Sequence, residues 1–134
     1  MRVVLDTNVI IAAFATRGLC FELFELCLDG HEVIISEQML LEVKRNLAVK
    51  IRLPENVVRD IVGYLRDSFE VVEPELLDKP LCRDSSDDMV IGTALKGKAG
   101  FIITGDDDLL VLKNYRGINI VCPRGFWNFL KQGK

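Results

Sequence analysis

A short apolar segment that ends in an acid, Arg2-Val-Val-Leu-Asp6, is the stretch around which the rest of the sequence can be organised. A compact aliphatic run bounded by polar residues is typical of a buried strand, and here Thr7 and Asn8 follow it. Residues 100–104 form a second such run, after which comes Asp106. The sequence therefore predicts two buried strands, each with an acid just beyond its end.

Between and around these two runs, strands and helices alternate. The apolar pattern predicts further strands at 32–35, 70–73 and 118–121, and helices at 19–28, 36–49, 54–65, 85–96 and 124–130, with a short helix or turn at 107–112. Ser36 is expected to cap one helix, Pro54 to lie in the first turn of the next, and Gly97 to end another. This alternation predicts an α/β three-layer sandwich with a mainly parallel sheet.

The predicted sheet brings distant acids together. Right-handed crossovers between parallel strands place the loops that follow the strands on one rim, and ligands of such sheets bind at that rim. Asp6 and Asp106 each follow a strand, so both are expected there. The rim is therefore the candidate functional site.

Length, composition and charge limit the class of protein. The 134 residues, 49% of them hydrophobic, are expected to form one domain over residues 1–134 with an ordinary core. No apolar run approaches the ~20 residues that span a bilayer, and the acid at position 6 argues against a signal peptide, so we expect a soluble, cytoplasmic protein. The net charge of −3, with its acids in short clusters, suits a cation site better than a broad phosphate-binding face.

The four cysteines agree with a reducing compartment. Cys20, Cys27, Cys82 and Cys122 show no CxxC spacing, and His31 is the only histidine. On one helix, Cys20 and Cys27 would be about 10.5 Å apart, which is too far for a disulfide. We expect reduced, mostly buried thiols rather than a zinc site or a redox pair.

Asp88 is predicted to point into the molecule. In a helix it shares a face with Ile91, Gly92 and Leu95, and a carboxylate on such a face needs a partner, a raised pKa or a metal. Gly92 weakens the helix by about 1 kcal/mol relative to Ala, but it allows another segment of the chain to approach closely.

The acids together predict a metal-dependent chemistry. Carboxylates within ~4–6 Å of one another repel, and a divalent cation removes that conflict. Ligands that are all oxygen select Mg²⁺ or Mn²⁺ over Zn²⁺. Such ions activate water and stabilise the attacking and leaving oxygens of a displacement at phosphorus.

Four short motifs resemble those of the PIN domain family, in particular the VapC-like toxin ribonucleases of toxin–antitoxin pairs. They are Asp6-Thr-Asn-Val, Glu42 in the second predicted helix, Asp88-x-x-Ile-x-x-Ala and Thr104-x-Asp106-x-Asp108. The resemblance extends over nearly the whole chain. It implies a five-stranded sheet in the order 3-2-1-4-5, Mg²⁺- or Mn²⁺-dependent cleavage of single-stranded RNA, a homodimer, and an antitoxin partner.

The resemblance also implies roles for individual residues. Asp6, Glu42, Asp88 and Asp106 would be the catalytic acids, with Asp6, Asp88 and Asp106 as direct metal ligands and Glu42 orienting or activating water. The supporting polar groups would be Thr7, Asn8, Thr104 and Asp108. Because the sequence 84–88 carries extra acids, Asp84 or Asp87 can share or replace the role given to Asp88.

Each motif alone also has an ordinary structural interpretation. Asp6 can cap a turn, Glu42 can be a solvated helix residue, and the acids at 106–108 can form a solvated turn. Ser85 with Asp88 three residues later resembles a capping box.

A loose basic stretch offers a contact for the substrate. Lys44 and Arg45 are candidates for binding RNA phosphates, although a charged helix surface explains them as well.

Two other functions stay open. A non-catalytic module of the same fold would act through RNA or protein contacts and would bind no divalent ion. Phosphoryl transfer with an aspartate nucleophile would call for a second acid at the position of Asn8, and Asn8 is not acidic. The complete set of acids favours the nuclease, while the RNA target is not encoded in any recognisable motif.

Overall fold

The alternation of strands and helices is confirmed in the computed structural model, which describes residues 1–132. Within that range the strands are β1 (Arg2–Leu5), β2 (Glu32–Ser36), β3 (Glu70–Val72), β4 (Phe101–Ile103), β5 (Asn114–Tyr115) and β6 (Ile118–Val121). The helices are α1 (Thr7–Ala15), α2 (Leu19–Gly30), α3 (Glu37–Val49), α4 (Glu55–Ser68), α5 (Ser85–Lys96), α6 (Asp107–Leu110) and α7 (Pro123–Gln132).

The strands form one mixed sheet in the order β3-β2-β1-β4-β6-β5. All neighbouring pairs are parallel except β5 and β6, which are antiparallel, so the expected mainly parallel sheet is confirmed. The expected count of five strands is wrong, because the sheet has six. The strand predicted at 118–121 is β6 and takes the fifth position in the sheet, and the additional strand β5 pairs on its outer side. β5 has too few residues to show an alternating pattern.

The extra strand is held by a tight hairpin. Tyr115 pairs with Ile118, which leaves a loop of Arg116 and Gly117 between the two strands. Both loop residues have positive φ angles, 50° and 87°, as a type I′ hairpin turn requires. The turn therefore adds an antiparallel edge to an otherwise parallel sheet.

Helices cover both faces of the sheet. Gly97, at the end of α5, is so close to β2 that a Cβ there would lie 2.7 Å from the Ile34 side chain. Phe101 of β4 is in register with Val33 through β1, and its ring lies 5.2 Å from the ring of Phe126 in α7. Because Val33 and Ile34 are successive strand residues, α5 and α7 pack on opposite faces. The arrangement is the expected three-layer sandwich.

One helix has no counterpart among those predicted. α1 follows β1 directly and contains the β-branched run Val9-Ile10-Ile11, whose intrinsic helix propensity is low. These three residues are buried, and Asp6 accepts a hydrogen bond from Thr7 N at the start of the helix. Burial and this cap outweigh the local preference, and the first turn of α1 becomes part of the rim.

The four cysteines are less buried than the sequence analysis expects. Cys27 is buried, Cys20, Cys82 and Cys122 are partly buried, and all four are free. Within residues 1–132, no helix is both long enough and apolar enough to cross a membrane.

Candidate metal centre

The rim at the ends of β1 and β4 is organised by the register of the two strands. Leu5 and Ile103, their last residues, are paired, so Asp6 and Thr104 follow side by side. The backbone continues this pairing, because Asp6 N donates to Ile103 O at 2.9 Å. The expectation that acids after these two strands share one rim is confirmed.

Thr104 connects the two acids of the rim. Its hydroxyl donates to Asp6 Oδ2 at 2.6 Å and accepts from Asp106 N at 2.9 Å. The side chains of Asp6 and Thr104 are both buried. Burial raises the pKa of Asp6, while the hydrogen bonds from Thr104 and Thr7 act in the opposite direction and the charges of nearby acids raise it further. Hydrogen bonds from Thr104 and Thr7 thus hold the Asp6 carboxylate in place near the other acids of the rim.

Glu42 joins this rim from α3. Thr7, the first residue of α1, donates its hydroxyl to Glu42 Oε1 at 3.1 Å. Glu42 is partly buried at the edge of the apolar stripe of α3, which includes Val43 and Leu47. Its charge is close enough to raise the pKa of Asp6. The sequence prediction that Glu42 belongs to the acidic group is consistent with this position.

Three carboxylates form the most compact acidic group of the described residues. One oxygen from each of Asp87, Asp106 and Asp108 lies within 4.8 Å of the others. The pKa of Asp87 is raised to about 7, first by burial, then by a hydrogen bond with Asp106 and by the charges of Asp106, Asp6 and Asp84. Asp106 also caps α6 by accepting from Asp108 N at 2.9 Å. We call these three residues with Asp6 the acidic cluster.

The structure corrects the expected direction of Asp88. Its carboxylate accepts from Leu81 N at 3.2 Å and from Cys82 N at 2.9 Å, which ties it to the loop before α5 rather than to the acidic cluster. The buried side of α5 carries Asp87, with Val90, Ile91 and Ala94 after it. Val90, Ile91 and Ala94 lie three, four and seven residues after Asp87, which is the spacing that the prediction used for Asp88. All three are buried and apolar, so Asp87 is the acid on the inward-facing side.

As predicted, Gly92 allows another segment of the chain to approach α5 closely. The approach is on the side of α5 that also carries Asp88. A Cβ at Gly92 would lie 2.2 Å from the carbonyl oxygen of Glu75, and Glu75 N donates to Gly92 O at 3.0 Å. The close segment is therefore the loop before α5. Its packing on this side of the helix explains why Asp88 meets backbone amides instead of other acids.

The remaining predicted polar groups divide between the cluster and its surroundings. Asp84 is the N-cap of α5 and accepts from Ser86 N at 3.0 Å and Ser86 Oγ at 2.7 Å, which lower its pKa. The alternative interpretation of Ser85 and Asp88 as a capping box does not hold, because the N-cap is Asp84, one residue before Ser85. Asn8 is exposed on α1.

The two candidate RNA contacts lie outside the cluster. Lys44 and Arg45 are exposed on α3, two and three residues after Glu42. Their contact with RNA phosphates stays a prediction.

One basic residue at the cluster was missed by sequence reasoning. Arg83 Nη2 is 2.9 Å from Asp108 Oδ1, and 88% of the Arg83 side chain is exposed. The hydrogen bond to Asp108 raises the pKa of Arg83, and the charges of Asp108 and Asp106 raise it further. The available signal was an arginine directly before a segment that carries Asp84, Asp87 and Asp88. Among the described residues, Arg83 is the basic residue that forms an ion pair with a member of the acidic cluster.

The arrangement has the chemistry of a hard-cation site. Its donors are carboxylate oxygens from Asp6, Asp87, Asp106 and Asp108, with no sulfur or imidazole among them. Oxygen sets of this kind fit Mg²⁺ or Mn²⁺. After burial and the hydrogen bond with Asp106, the charges of Asp106, Asp6 and Asp84 raise the pKa of Asp87 further, and a bound cation would offset this repulsion.

Comparisons with known proteins agree with the fold. Residues 2–108 match the family model described as PIN domain. None of the curated proteins compared is significantly similar to the chain. A chain in the crystal structure of VapBC2 from Rickettsia felis, bound to a DNA fragment from their promoter, superposes with a TM-score of 0.65 at 15% identity. The superposition covers 91% of this chain and 98% of that chain, and at such low identity the similarity concerns the fold.

Proposed function

The chain belongs to the PIN domain family, and from this premise we propose that it is a divalent-metal-dependent endoribonuclease that hydrolyses phosphodiester bonds of single-stranded RNA. PIN domains are generally nucleases. The observation that supports the proposal most is the meeting of Asp6, Asp87, Asp106 and Asp108 at one rim of the sheet. Like charges gathered this closely destabilise the folded chain unless a cation joins them.

The residues suit Mg²⁺ or Mn²⁺ as a cofactor. Asp87, Asp106 and Asp108 would hold the ion, because they offer oxygens within 4.8 Å of one another. Asp6, which accepts a hydrogen bond from Thr104, would contribute a further carboxylate oxygen. A bound divalent cation would activate water and neutralise charge that develops on the phosphate oxygens.

Residues around the ligands have distinct parts in the proposed reaction. Glu42, oriented by the Thr7 hydroxyl, would take a proton from the attacking water. Thr104 would keep the Asp6 carboxylate turned towards the cluster. Arg83 would exchange its contact with Asp108 for a phosphate of the RNA, since a guanidinium binds phosphate as it binds carboxylate. Asp88 would stabilise the loop before α5 without touching the reacting atoms.

We extend the proposal to the biological setting. The VapC-like motifs and the fold shared with a chain of the VapBC2 complex support a toxin that is paired with an antitoxin protein. The acidic cluster would suit a basic side chain of that partner, placed in the pocket that the cation otherwise uses. A homodimer and a single domain over residues 1–134 belong to the same proposal.

The test is a cleavage assay on labelled single-stranded RNA. We expect cleavage with Mn²⁺ or Mg²⁺, none with EDTA, and none of single-stranded DNA of the same sequence. Asp6→Asn and Asp87→Asn should abolish cleavage. Asp60→Asn, which changes an exposed acid of α4, is the matched control and should leave the rate unchanged.

The outcome separates the nuclease from the non-catalytic module. Cleavage that persists at full rate in Asp6→Asn and Asp87→Asn would come from a contaminant or another site. A folded chain that binds no Mn²⁺ at millimolar concentration in calorimetry would instead support a PIN-fold binding module.

A further inference from the structure

A cavity of about 560 Å³ lies between the start of α3, the start of α5 and the loop of residues 73–80. This volume is within the range of small-ligand sites in proteins. Its apolar walls come from Pro74, Leu76, Leu77, Pro80 and Met89. We call this space the Gln38 cavity, after the polar residue that lines it from α3.

Gln38 brings an unmet hydrogen-bonding requirement to the cavity. Among the described residues, its Oε1 is the one buried side-chain polar atom that has no hydrogen-bond partner. A buried acceptor left alone costs free energy, and native proteins seldom keep one without a reason. A ligand with an N–H donor that reached the Gln38 amide would supply the missing bond.

The cavity and the acidic cluster are built on the same two helices. Gln38 precedes Glu42 by four residues on α3, which places the two side chains one turn apart on the same face. On α5, Asp88 lines the cavity while the adjacent Asp87 belongs to the cluster. A nucleotide whose phosphate lies at the cluster therefore has a cavity next to it for its base.

The charges that line the cavity decide which part of a nucleotide enters. Glu73, Glu75 and Asp88 contribute three carboxylates and Lys79 one ammonium, so the lining carries a net negative charge that repels a phosphate. Apolar walls receive the face of a base, as in sites that splay bases out of single-stranded RNA. The acceptor oxygens of Gln38 and the three carboxylates outnumber the donors that Lys79, Ser85 and the Gln38 amide nitrogen offer, so the lining complements a base edge that carries donors.

We propose that the Gln38 cavity binds the nucleobase next to the cleaved bond and prefers bases with an exocyclic amine, adenine, cytosine or guanine, over uracil. The inference rests on the proposed ribonuclease function and adds a substrate preference to it. Uracil offers one ring N–H and no amine, so it brings fewer donors to Gln38 Oε1 and the surrounding carboxylates than the other three bases do.

The test compares RNA oligonucleotides that differ at one position. After the cut is mapped, the nucleotides on either side are changed in turn from cytidine to uridine, and from adenosine to purine riboside, which lacks only the amine. We expect at least about a fivefold loss of kcat/KM on one side of the cut, as one well-placed hydrogen bond provides. The Gln38→Leu variant should reduce that ratio towards one.

Matched variants separate the cavity from general effects. Gln132→Leu makes the same change at an exposed glutamine of α7 and should keep the preference. If Gln38→Leu does not fold, Leu76→Asp serves instead, since Leu76 is 92% exposed and lines the cavity. Equal rates for all bases in the wild type, or a preference unchanged in Gln38→Leu and Leu76→Asp, would overturn the inference.

Failure of the proposed function has a different signature. If the wild type cleaves no RNA with Mn²⁺, the ribonuclease is rejected, and the affinities of the same oligonucleotides are measured directly by fluorescence anisotropy. Equal affinities would then overturn the base preference as well, and would leave the cavity to another occupant such as a segment of a partner protein.

Discussion

Asp87 and Asp88 are neighbours in the chain, but their carboxylates have different partners. Asp87 is buried against Asp106 in the acidic cluster, whereas Asp88 accepts hydrogen bonds from the backbone of Leu81 and Cys82. A rotation of about 100° between successive helix residues turns one towards the sheet rim and the other towards the loop. The same substitution at the two positions should therefore have different consequences.

We expect Asp87→Asn to lower metal-dependent cleavage at least about a hundredfold, because it removes a metal ligand. In the same assay, the cleavage rate of Asp88→Asn should stay within about fivefold of the wild-type rate. This substitution should lower the free energy of unfolding by about 1–2 kcal/mol, because an amide accepts weaker hydrogen bonds from the loop N–H groups. Urea unfolding and RNA cleavage measure the two effects. Equal losses of activity in both variants would contradict the assignment of Asp87.

The stability of the metal-free chain should decrease as the pH rises. Asp87 keeps its proton up to about pH 7 in the folded state, but loses it near pH 4 when unfolded. The folded state binds more protons in this window, so the contribution that favours folding decreases from about pH 4 and is fully lost above about pH 7. Asp6, whose pKa is also raised, acts in the same direction.

Thermal unfolding in EDTA measures this dependence. We expect Tm to fall by roughly 3–8 °C between about pH 5.5 and pH 8.5, and Mn²⁺ at the higher pH to restore most of the loss. Asp87→Asn is the control, because the neutral amide should flatten the curve. A slope that is the same in wild type and Asp87→Asn would show that other groups cause it.

Thr104→Val tests the connection between the two strand ends. Valine has the same shape but removes the hydroxyl that donates to Asp6 and accepts from Asp106 N, so we expect about 1–2 kcal/mol of lost stability and weaker Mn²⁺ binding. Thr93→Val is the matched control, since Thr93 is equally buried but donates to Met89 O inside α5. Calorimetric titration of Mn²⁺ should distinguish the two, and equal affinities would contradict a positioning role for Thr104.

Two glycines in helices should respond to alanine in opposite ways. Gly92→Ala would place a Cβ 2.2 Å from Glu75 O, so we expect a loss of about 1–3 kcal/mol in the free energy of unfolding. Gly63→Ala in α4 meets no atom within 4 Å and should stabilise by up to about 1 kcal/mol. Urea unfolding of both variants tests the contact, and a neutral Gly92→Ala would show that the loop moves away freely.

Arg83→Gln should affect substrate binding more than folding. The Arg83–Asp108 pair is largely exposed, so its loss should change stability by less than about 0.5 kcal/mol. We expect weaker RNA binding with a smaller salt dependence, and Mn²⁺ binding at least as tight as in the wild type. Fluorescence anisotropy at two salt concentrations checks this, and unchanged RNA affinity would remove Arg83 from the substrate contacts.

The sequence predicts the elements that carry a strong pattern. Buried aliphatic runs identify β1, β4 and β6, and their common rim follows from the rules of parallel sheets, so Asp6 and Asp106 could be placed together in advance. Ser85–Lys96 was predicted with the same bounds that α5 shows. These features depend on apolar periodicity, which is local and readable.

The sequence predictions are wrong or incomplete where contacts between distant segments determine the structure. Asp87 and Asp88 both fit an inward-facing helical pattern, and only the packing of Glu75 against Gly92 determines which side of α5 meets the loop. α1 was not predicted, since its β-branched residues disfavour a helix until the core buries them. The approach of Arg83 to Asp108 joins two loops, and no local pattern encodes it.

The outermost strands have a consequence for how copies of the chain can associate. β3 has three residues and β5 has two, so each outer edge of the sheet offers few free backbone N–H and C=O groups. A long open edge is what lets one molecule recruit a strand from another, and none is present in residues 1–132. Any assembly of this protein is therefore expected to join helix surfaces, leaving the sheet confined to each subunit.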